Sequence, residues 1–462
     1  MLRKVLRREL GEVLHGFRFA VVLGLTVTLF AVSALVDATV ARQAAEVPAG
    51  KVEGLTGEDG LTGLEGTCCS GMHARLLRAP LAFCAGRADE DLPDWATFFA
   101  SELTALVHRG ELEGALGGEA HLDWATVIAV ILSFGAGVLT YRSVSGELQD
   151  GTLALVLSNP VSRAEVILGK YLAVLLSLAA ALTVSMVLGL LVVRWLSPVG
   201  LGTGEWMRLA AFWIASILYL SCAVLIGLHC SVFGRNPVIS AVTFLFAWAV
   251  LVFVVPNLGG VLVGQVRDTG RQLAIHGAYA SVEQDLPTPP GADYAEGAAR
   301  ESQRAQERER LRVAYAEELV RQVELGRDLT RVSPAAAFLY SAEAVTGSGL
   351  SRLQWFVGHV VDYRRRLLQA VLEADSADEN SEHVFHPFTA GQVNEATGKP
   401  WFSRDRVDLG PAKVFRDPPP NVGKAIQAAT ADLALLALYN GLLLVATIWR
   451  FVRQDVTPGS GL

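Results

Sequence analysis

Charge is scarce in this chain of 462 residues: Asp, Glu, Lys and Arg make up 18%, against 52% for hydrophobic residues. A soluble domain carries about 25% charged residues, and a mean hydropathy of +0.37 is too apolar for one. Catalytic signatures are missing as well. A phosphate loop needs Gly-x4-Gly-Lys-Ser/Thr, so that backbone amides cradle the phosphate and the hydroxyl holds magnesium. Gly423-Lys424 is followed by Ala425 and lacks the upstream Gly, and Gly200-Leu-Gly-Thr-Gly204 is a lone glycine turn. The chain is therefore expected to bind no ATP. With no His-Glu-x-x-His and no Gly-x-Ser-x-Gly either, no catalytic residue, metal or cofactor is assigned to it.

Long apolar runs are present instead. Six candidate spans fall at 17–38, 124–141, 171–195, 207–232, 238–263 and 425–446, each close to the roughly 20 residues a helix needs to cross about 30 Å of hydrocarbon. The fourth and fifth are separated only by Phe233-Gly-Arg-Asn-Pro237 and must form a tight hairpin. Pro256, followed by Asn257 and Gly259, predicts a kink or end in the fifth. The fold class is an all-α polytopic membrane protein with six transmembrane helices and two large insertions, the second mainly helical.

The most telling stretch is SGELQDGTLALVLSNPVSRAEVILGKYL, 145–172, between the second and third spans. Asp150-Gly151 and Asn159-Pro160 are turn signals, and Ser162 with Glu165 has capping-box spacing, so a helix should start near Arg163. Leu148, Leu153, Leu155, Val156 and Leu157 suit the headgroup zone, with Glu147, Gln149 and Asp150 facing water. A plain solvated loop is the competing reading. A Glu, then Gly-Thr, a Leu-rich turn, Pro-Val-Ser-Arg and a Gly-Lys opening the next span resembles the corresponding segment of ABC type-2 (exporter-type) transporter permeases. The resemblance is most specific over these residues and extends more loosely, as span order, along the chain. The later Ser-Pro, Gly-Ser-Gly, aromatic-rich order resembles the long extracytoplasmic-loop branch of the same superfamily.

What the resemblance implies is a coupling segment, 142–170, that docks on a separate cytoplasmic ATPase. Its contact residues would be Glu147, Gly151, Thr152, Pro160, Val161, Ser162, Arg163, Gly169 and Lys170. ATP and magnesium would be held by the partner. A second permease copy or close homologue would complete the transporter, and nucleic acid is not among the expected partners.

Positive residues are retained on the cytoplasmic side. With the N-terminus inside, Arg3, Lys4, Arg7, Arg8, Arg18, Arg142, Arg163, Lys170, Arg235, Arg450 and Arg453 all fall at cytoplasmic ends. Both termini, including the 447–462 tail, are then expected inside a multi-pass protein of the cell inner membrane. Residues 1–16 place apolar and basic residues at helical spacing and suit an interfacial helix on anionic lipid; a signal peptide is the alternative.

The two long connections, 39–122 and 264–424, are then extracytoplasmic. The first is Gly-rich and acidic around GLTGEDGLTGLEG, with an amphipathic helix expected near 95–107. It holds Cys68, Cys69 and Cys84, whose location permits one disulfide between Cys84 and either neighbour, with an odd thiol left over. Cys68, Cys69, Met72 and His73 are also soft donors of the kind copper takes. The second is large enough for a folded domain. It should contain a charged helix over 298–332 with Glu317 paired to Arg321 and an Arg304, Arg308, Arg312 stripe, which is either a solvated face or the receiver of an anionic partner. Ser333-Pro334 should begin a second helix that ends at Gly347 or Gly349, and Ser351 with Gln354 a third whose stripe is Leu353, Phe356, Val357, Val360, Leu367, Val371 and Leu372. His383 and His386 could share a helical face as ligands, though surface histidines are the simpler reading.

Polar residues inside the spans are few, among them Ser133, Ser177, Thr183, Ser185, Ser216, Ser221, Asn257, Asp432 and Asn440, and packing is their default role. Cys222 and Cys230 read as small core residues. So sparse a lining argues against a small-ion channel. Export of lipid-like or peptide cargo fits, as does a mechanotransmitter or assembly factor acting on an extracytoplasmic protein; a receptor or scaffold without an ATPase is a further class.

Overall fold

The computed structural model describes residues 2–45, 62–64, 71–76, 79–87, 95–107, 122–158, 160–196, 200–234, 236–259, 269–388, 391–407, 415, 417–418 and 420–454. Among them, six helices are long and apolar enough to cross a membrane: Phe17–Arg42, Trp124–Gln149, Arg163–Leu196, Thr203–Phe233, Pro237–Gly259 and Val422–Arg453. Each contains or overlaps one of the expected spans. The third begins at Arg163 because its capping box forms: Ser162 N donates to Glu165 Oε2 at 3.0 Å and Glu165 N to Ser162 Oγ at 3.2 Å. Trp124, fully buried, seals the bundle near the start of the second span, stacked on Phe30 at 4.9 Å and edge-on to Phe83 at 4.8 Å. Gly189 makes room for it, since a Cβ there would sit 2.5 Å from the Trp124 ring.

Two spans widen to π-helix, at Ile128–Leu132 in the second and Val250–Val254 in the fifth. Pro256 has no N–H to give and crowds the turn before it, so the helix absorbs it as a π segment and continues to Gly259. In the second span, the Ala129 carbonyl accepts from the Tyr219 hydroxyl at 2.8 Å and from Ser133. Trp248 Nε1 donates to Ser133 Oγ at 2.9 Å, which joins the second and fifth spans next to their widened segments.

The two long connections build one domain at one end of the bundle, here called the distal end. Strands Met72–Arg75, Trp95–Phe98 and Leu103–Val107 form an antiparallel sheet with Met72 opposite Phe98 and Trp95 opposite Val107. The helix expected near 95–107 is therefore two strands. Burial alternates along Trp95–Phe98 with the period of a strand, and this strand pairs with the adjacent Leu103–Val107 on one side and with the more remote Met72–Arg75 on the other. From the other connection, helix Gly349–Ser376 lays Phe356, Val360, Tyr363, Leu367 and Val371 against Met72, Ala74, Ala96 and Phe98. Phe98 meets Tyr363 edge-on at 5.9 Å, and Thr62–Gly63 pairs with Arg406–Val407. This helix starts at Gly349 behind Ser348, not from a Ser351 box, and Leu372 is 41% exposed, outside the stripe.

The charged helix spans Tyr294–Thr330, and the arginines of its Arg304, Arg308, Arg312 stripe are spent inside the domain. Arg308 reaches Glu301 at 2.7 Å and Glu102, from the first connection, at 2.9 Å; Arg304 takes Glu301 at 2.9 Å, and Arg312 bonds the Tyr279 hydroxyl. Burial pushes the Glu102 carboxyl up despite Arg308. Burial also works to raise Glu301, but Arg308 and Arg304 outweigh it and hold that carboxyl below its usual range. Arg321 pairs with Glu318 at 2.8 Å. The stripe is a joint between the two connections.

Helix Pro334–Thr346 departs from the expected domain division. Ser333 caps it through Ala335 N and Ala336 N at 3.1 and 3.4 Å, and Gly347 ends it at φ 77°. Its residues are small and apolar, and it inserts between the fourth and sixth spans: Phe338 stacks on Tyr219 at 4.8 Å, and Ser333 Oγ donates to the Leu251 carbonyl in the fifth.

Candidate coupling site

At the opposite, basal end lie helix Leu2–Leu14, the segment between the second and third spans, and the end of the sixth span. The segment folds as two short helices, Ser145–Gln149 and Thr152–Leu157. Gly151, at φ 71°, turns the chain between them, a conformation that costs a residue with a Cβ about 1–2 kcal/mol. The first helix has its leading amides met from the fourth span: Val144 N and Ser145 N donate to Ser231 Oγ at 3.0 and 3.1 Å. Val144 and Leu153 are buried with Val166, Ile167, Val232 and Phe451, and Leu148, Val156, Leu157 and Val161 close over that cluster. These leucines thus pack on the third, fourth and sixth spans; only Leu155, 69% exposed, points away.

The expected contact residues divide into two groups. Gly151, Thr152, Pro160 and Ser162 are exposed, with Gln149 and Leu155 beside them, and form the outward face. Val161 is partly buried; Asn159, of the second turn signal, lies outside the described residues. Glu147, Arg163, Gly169 and Lys170 turn inward. Lys170, 3% exposed, donates to Glu147 Oε1 at 2.6 Å and to Glu9 Oε1, from helix Leu2–Leu14, at 2.9 Å. Glu147 is therefore an internal partner and does not face water as expected. Gly169 lets the terminal helix approach, for a Cβ there would lie 2.7 Å from Val5 Cγ1. The apolar face of that helix is thereby set partly on the third span. Arg163 Nη1 donates to the carbonyls of Phe451, Val452 and Gln454 at 3.2, 3.0 and 2.7 Å, a cation on the carbonyl end of the sixth helix.

Glu9, Ser231 and Phe451 also belong to this site, and the sequence reading does not single them out for it. Glu9 belongs to a stretch that reads as a lipid-surface helix, Ser231 reads as span interior, and Phe451 falls in the expected 447–462 tail, but the structure places it in the last turn of the sixth helix. A heptad-like inward position for Glu9, on the face of Val5, Leu6 and Val13, was the available hint.

Other candidates carry no site. Ser381 Oγ and Asp375 Oδ2 both lie against the same His383 nitrogen, Nδ1, at 2.8 and 3.1 Å, so the ring does not bridge them and these three residues form no nucleophile–base relay. His386 stacks near Tyr294 at 5.5 Å. Among the described residues no cluster of His, Cys, Asp and Glu could hold a metal. Met72 is buried in the distal core while His73 bonds Thr97 at 3.0 Å on the other face of the strand. Cys84 is a free, buried thiol beside Phe83 and Trp124, pushed well up by burial, and Cys68 and Cys69 lie outside the described residues.

Six apolar helices, a tied-in basal segment and a folded distal domain define a polytopic helical membrane protein. The family described as ABC-2 family transporter protein matches residues 4–456, nearly the whole chain. The chain belongs to that family, and it is a multi-pass membrane permease of an ABC transporter. No curated protein matches it.

Proposed function

We propose that the chain is the non-catalytic membrane subunit that couples ATP hydrolysis on a separate cytoplasmic ATPase to export across the inner membrane, two such subunits forming the transporter. The observation that carries this reading is the division of the basal segment. Gln149, Gly151, Thr152, Leu155, Pro160 and Ser162 form an outward face, and behind it Glu147, Lys170 and Arg163 fix the segment to three other elements. A face so held transmits displacement instead of absorbing it. ATP and magnesium belong to the partner. Both termini lie in the cytoplasm, consistent with the basic residues of the basal end, and the distal domain lies outside; anionic lipid meets Arg3, Lys4 and Arg7, which are exposed on the terminal helix.

A second reading, in which the complex works mechanically on an extracytoplasmic protein, is favoured by the distal domain and by the bundle interior. The cavity among the second, fourth and fifth spans and helix Pro334–Thr346, lined by Ser133, Tyr219, Trp248 and Pro334, measures only about 20 Å³, room for about one water.

Copurification tests the first claim. The chain should bring down a stoichiometric P-loop ATPase, and Leu155→Asp, which changes an exposed side chain, should abolish that association while leaving the chain folded. An intact complex in Leu155→Asp, or no ATPase with the unaltered chain, refutes the docking face. ATP-dependent uptake into inverted vesicles then separates exporter from mechanotransmitter.

A further inference from the structure

The sixth helix, Val422–Arg453, is a single 32-residue rod whose outer surface is largely apolar and exposed. Specific contacts hold it at both ends. At the basal end Arg163 grips its last carbonyls, and Phe451 is fully buried in the cluster that seats the Thr152–Leu157 helix. At mid-length Asn440 Nδ2 donates to the Leu218 carbonyl at 2.9 Å. Toward the distal end Asp432, 2% exposed, accepts from Arg331 Nε at 2.6 Å and from Nη2 at 3.3 Å, and the Tyr439 hydroxyl donates to the Arg331 carbonyl at 2.8 Å. Arg331 is the residue that ends helix Tyr294–Thr330, and that helix carries Arg308, joined to Glu102, and Glu309, joined to Arg364 at 2.6 Å.

We propose that the sixth span is the strut by which displacement of the basal segment reaches the distal domain, and that the Arg331–Asp432 pair is its output joint. This rests on the coupling function proposed above and names the route. From Asp432 to Phe451 a helix covers about 28 Å, and a hydrogen-bonded helix resists compression along its axis. A carboxylate within a span is costly unless paired, and the two-point Arg fork fixes direction as well as distance. The joint therefore moves Arg331, and with it the long helix, when the rod shifts. Arg331 and Asp432 are positioning residues; neither touches nucleotide or cargo.

The test uses the full complex with its ATPase in lipid nanodiscs, spin-labelled at Gln149→Cys and Arg365→Cys, both exposed, and read by pulsed dipolar spectroscopy with and without ATP. The expected result is an ATP-dependent distance shift in the otherwise unaltered chain. Asp432→Asn should lose the shift while keeping the ATPase rate, and the exchanged pair Arg331→Asp with Asp432→Arg should regain it. A shift undiminished in Asp432→Asn overturns the joint. If Asp432→Asn does not fold, a folded exchanged pair decides: movement supports the joint and its absence refutes it. An unaltered complex with bound, active ATPase but no shift refutes the strut alone, whereas a chain that binds no ATPase refutes the coupling function itself.

Discussion

Glu147 accepts from Lys170 at 2.6 Å, and that ammonium, 3% exposed, also serves Glu9 on the terminal helix. One buried cation thus ties the basal segment, the third span and the N-terminal helix together. Removing one partner of a buried ion cluster leaves unpaired charge and costs about 3–5 kcal/mol. Lys170→Met should therefore lower the melting temperature in detergent substantially. Combining it with Glu9→Leu and Glu147→Leu should recover most of the loss, because buried ion clusters replaced by apolar groups are often neutral. Equal stability of Lys170→Met and the unaltered chain would show that the cluster holds nothing.

Gly169 gives a second handle on the same contact. An added Cβ would lie 2.7 Å from Val5 Cγ1 and 3.7 Å from the Leu6 backbone nitrogen, so Gly169→Ala must push the terminal helix outward. Overpacking of this kind costs about 1–3 kcal/mol. Protease should then release residues 2–14 faster from Gly169→Ala, and Val5→Ala added to it should restore protection. Neighbouring substitutions that compensate in this way show a coupling energy; simple addition of the two effects would place the helix elsewhere.

The spans, the Ser162–Glu165 box, the Asp150-Gly151 turn and the Ser333 and Gly347 helix limits were legible because each depends on residues close in the chain. The site's internal ties were not. Glu9 and Lys170 are 161 positions apart, and Glu9 sits in a stretch whose basic residues dominate the pattern. Arg163 binds backbone carbonyls, which have no sequence signature. The sheet of the distal domain was hidden for a related reason: short strands gain their identity from partners, and Met72–Arg75, on one side of Trp95–Phe98, lies outside the 95–107 stretch, while Leu103–Val107 follows it as a hairpin. Helix Pro334–Thr346 has the composition of a buried helix, but its neighbours in sequence are charged, and that context placed it in the distal domain.

The distal domain should respond to mild acid. Burial lowers the basicity of His386, with Glu301 opposing more weakly, so it takes a proton less readily folded than unfolded. The sign follows from linkage: above the unfolded value of about 6.5 both states are neutral, and below it the unfolded state binds the extra proton, so stability falls as the pH drops through that value. His386 lies beside Tyr294, which stacks on Trp401 at 4.8 Å. Urea unfolding followed by tryptophan fluorescence should give a lower midpoint at pH 5.5 than at 7.5, and His386→Phe should flatten that difference. An unchanged pH dependence in His386→Phe would assign it to other groups.

The core shared by the two long connections makes the last prediction. Phe98 is fully buried, reaches Tyr363 edge-on at 5.9 Å, and belongs to the first connection, whereas Tyr363, Phe356 and Val360 belong to the second. Truncating a buried Phe costs about 3–5 kcal/mol. If the connections form one core, Phe98→Ala must loosen the helix Gly349–Ser376, although no chain bond links them nearby. Hydrogen exchange in that helix should accelerate, while exchange in the fourth span, whose packing lies within the bundle, stays as it was. Leu372→Ala is the control, because Leu372 lies on the same helix but is 41% exposed; a surface change of that kind stays within about 0.5 kcal/mol. Exchange that quickens only in Trp95–Phe98 and its paired strands would mean two separate units, and the distal domain could then not move as one body on the end of the sixth span.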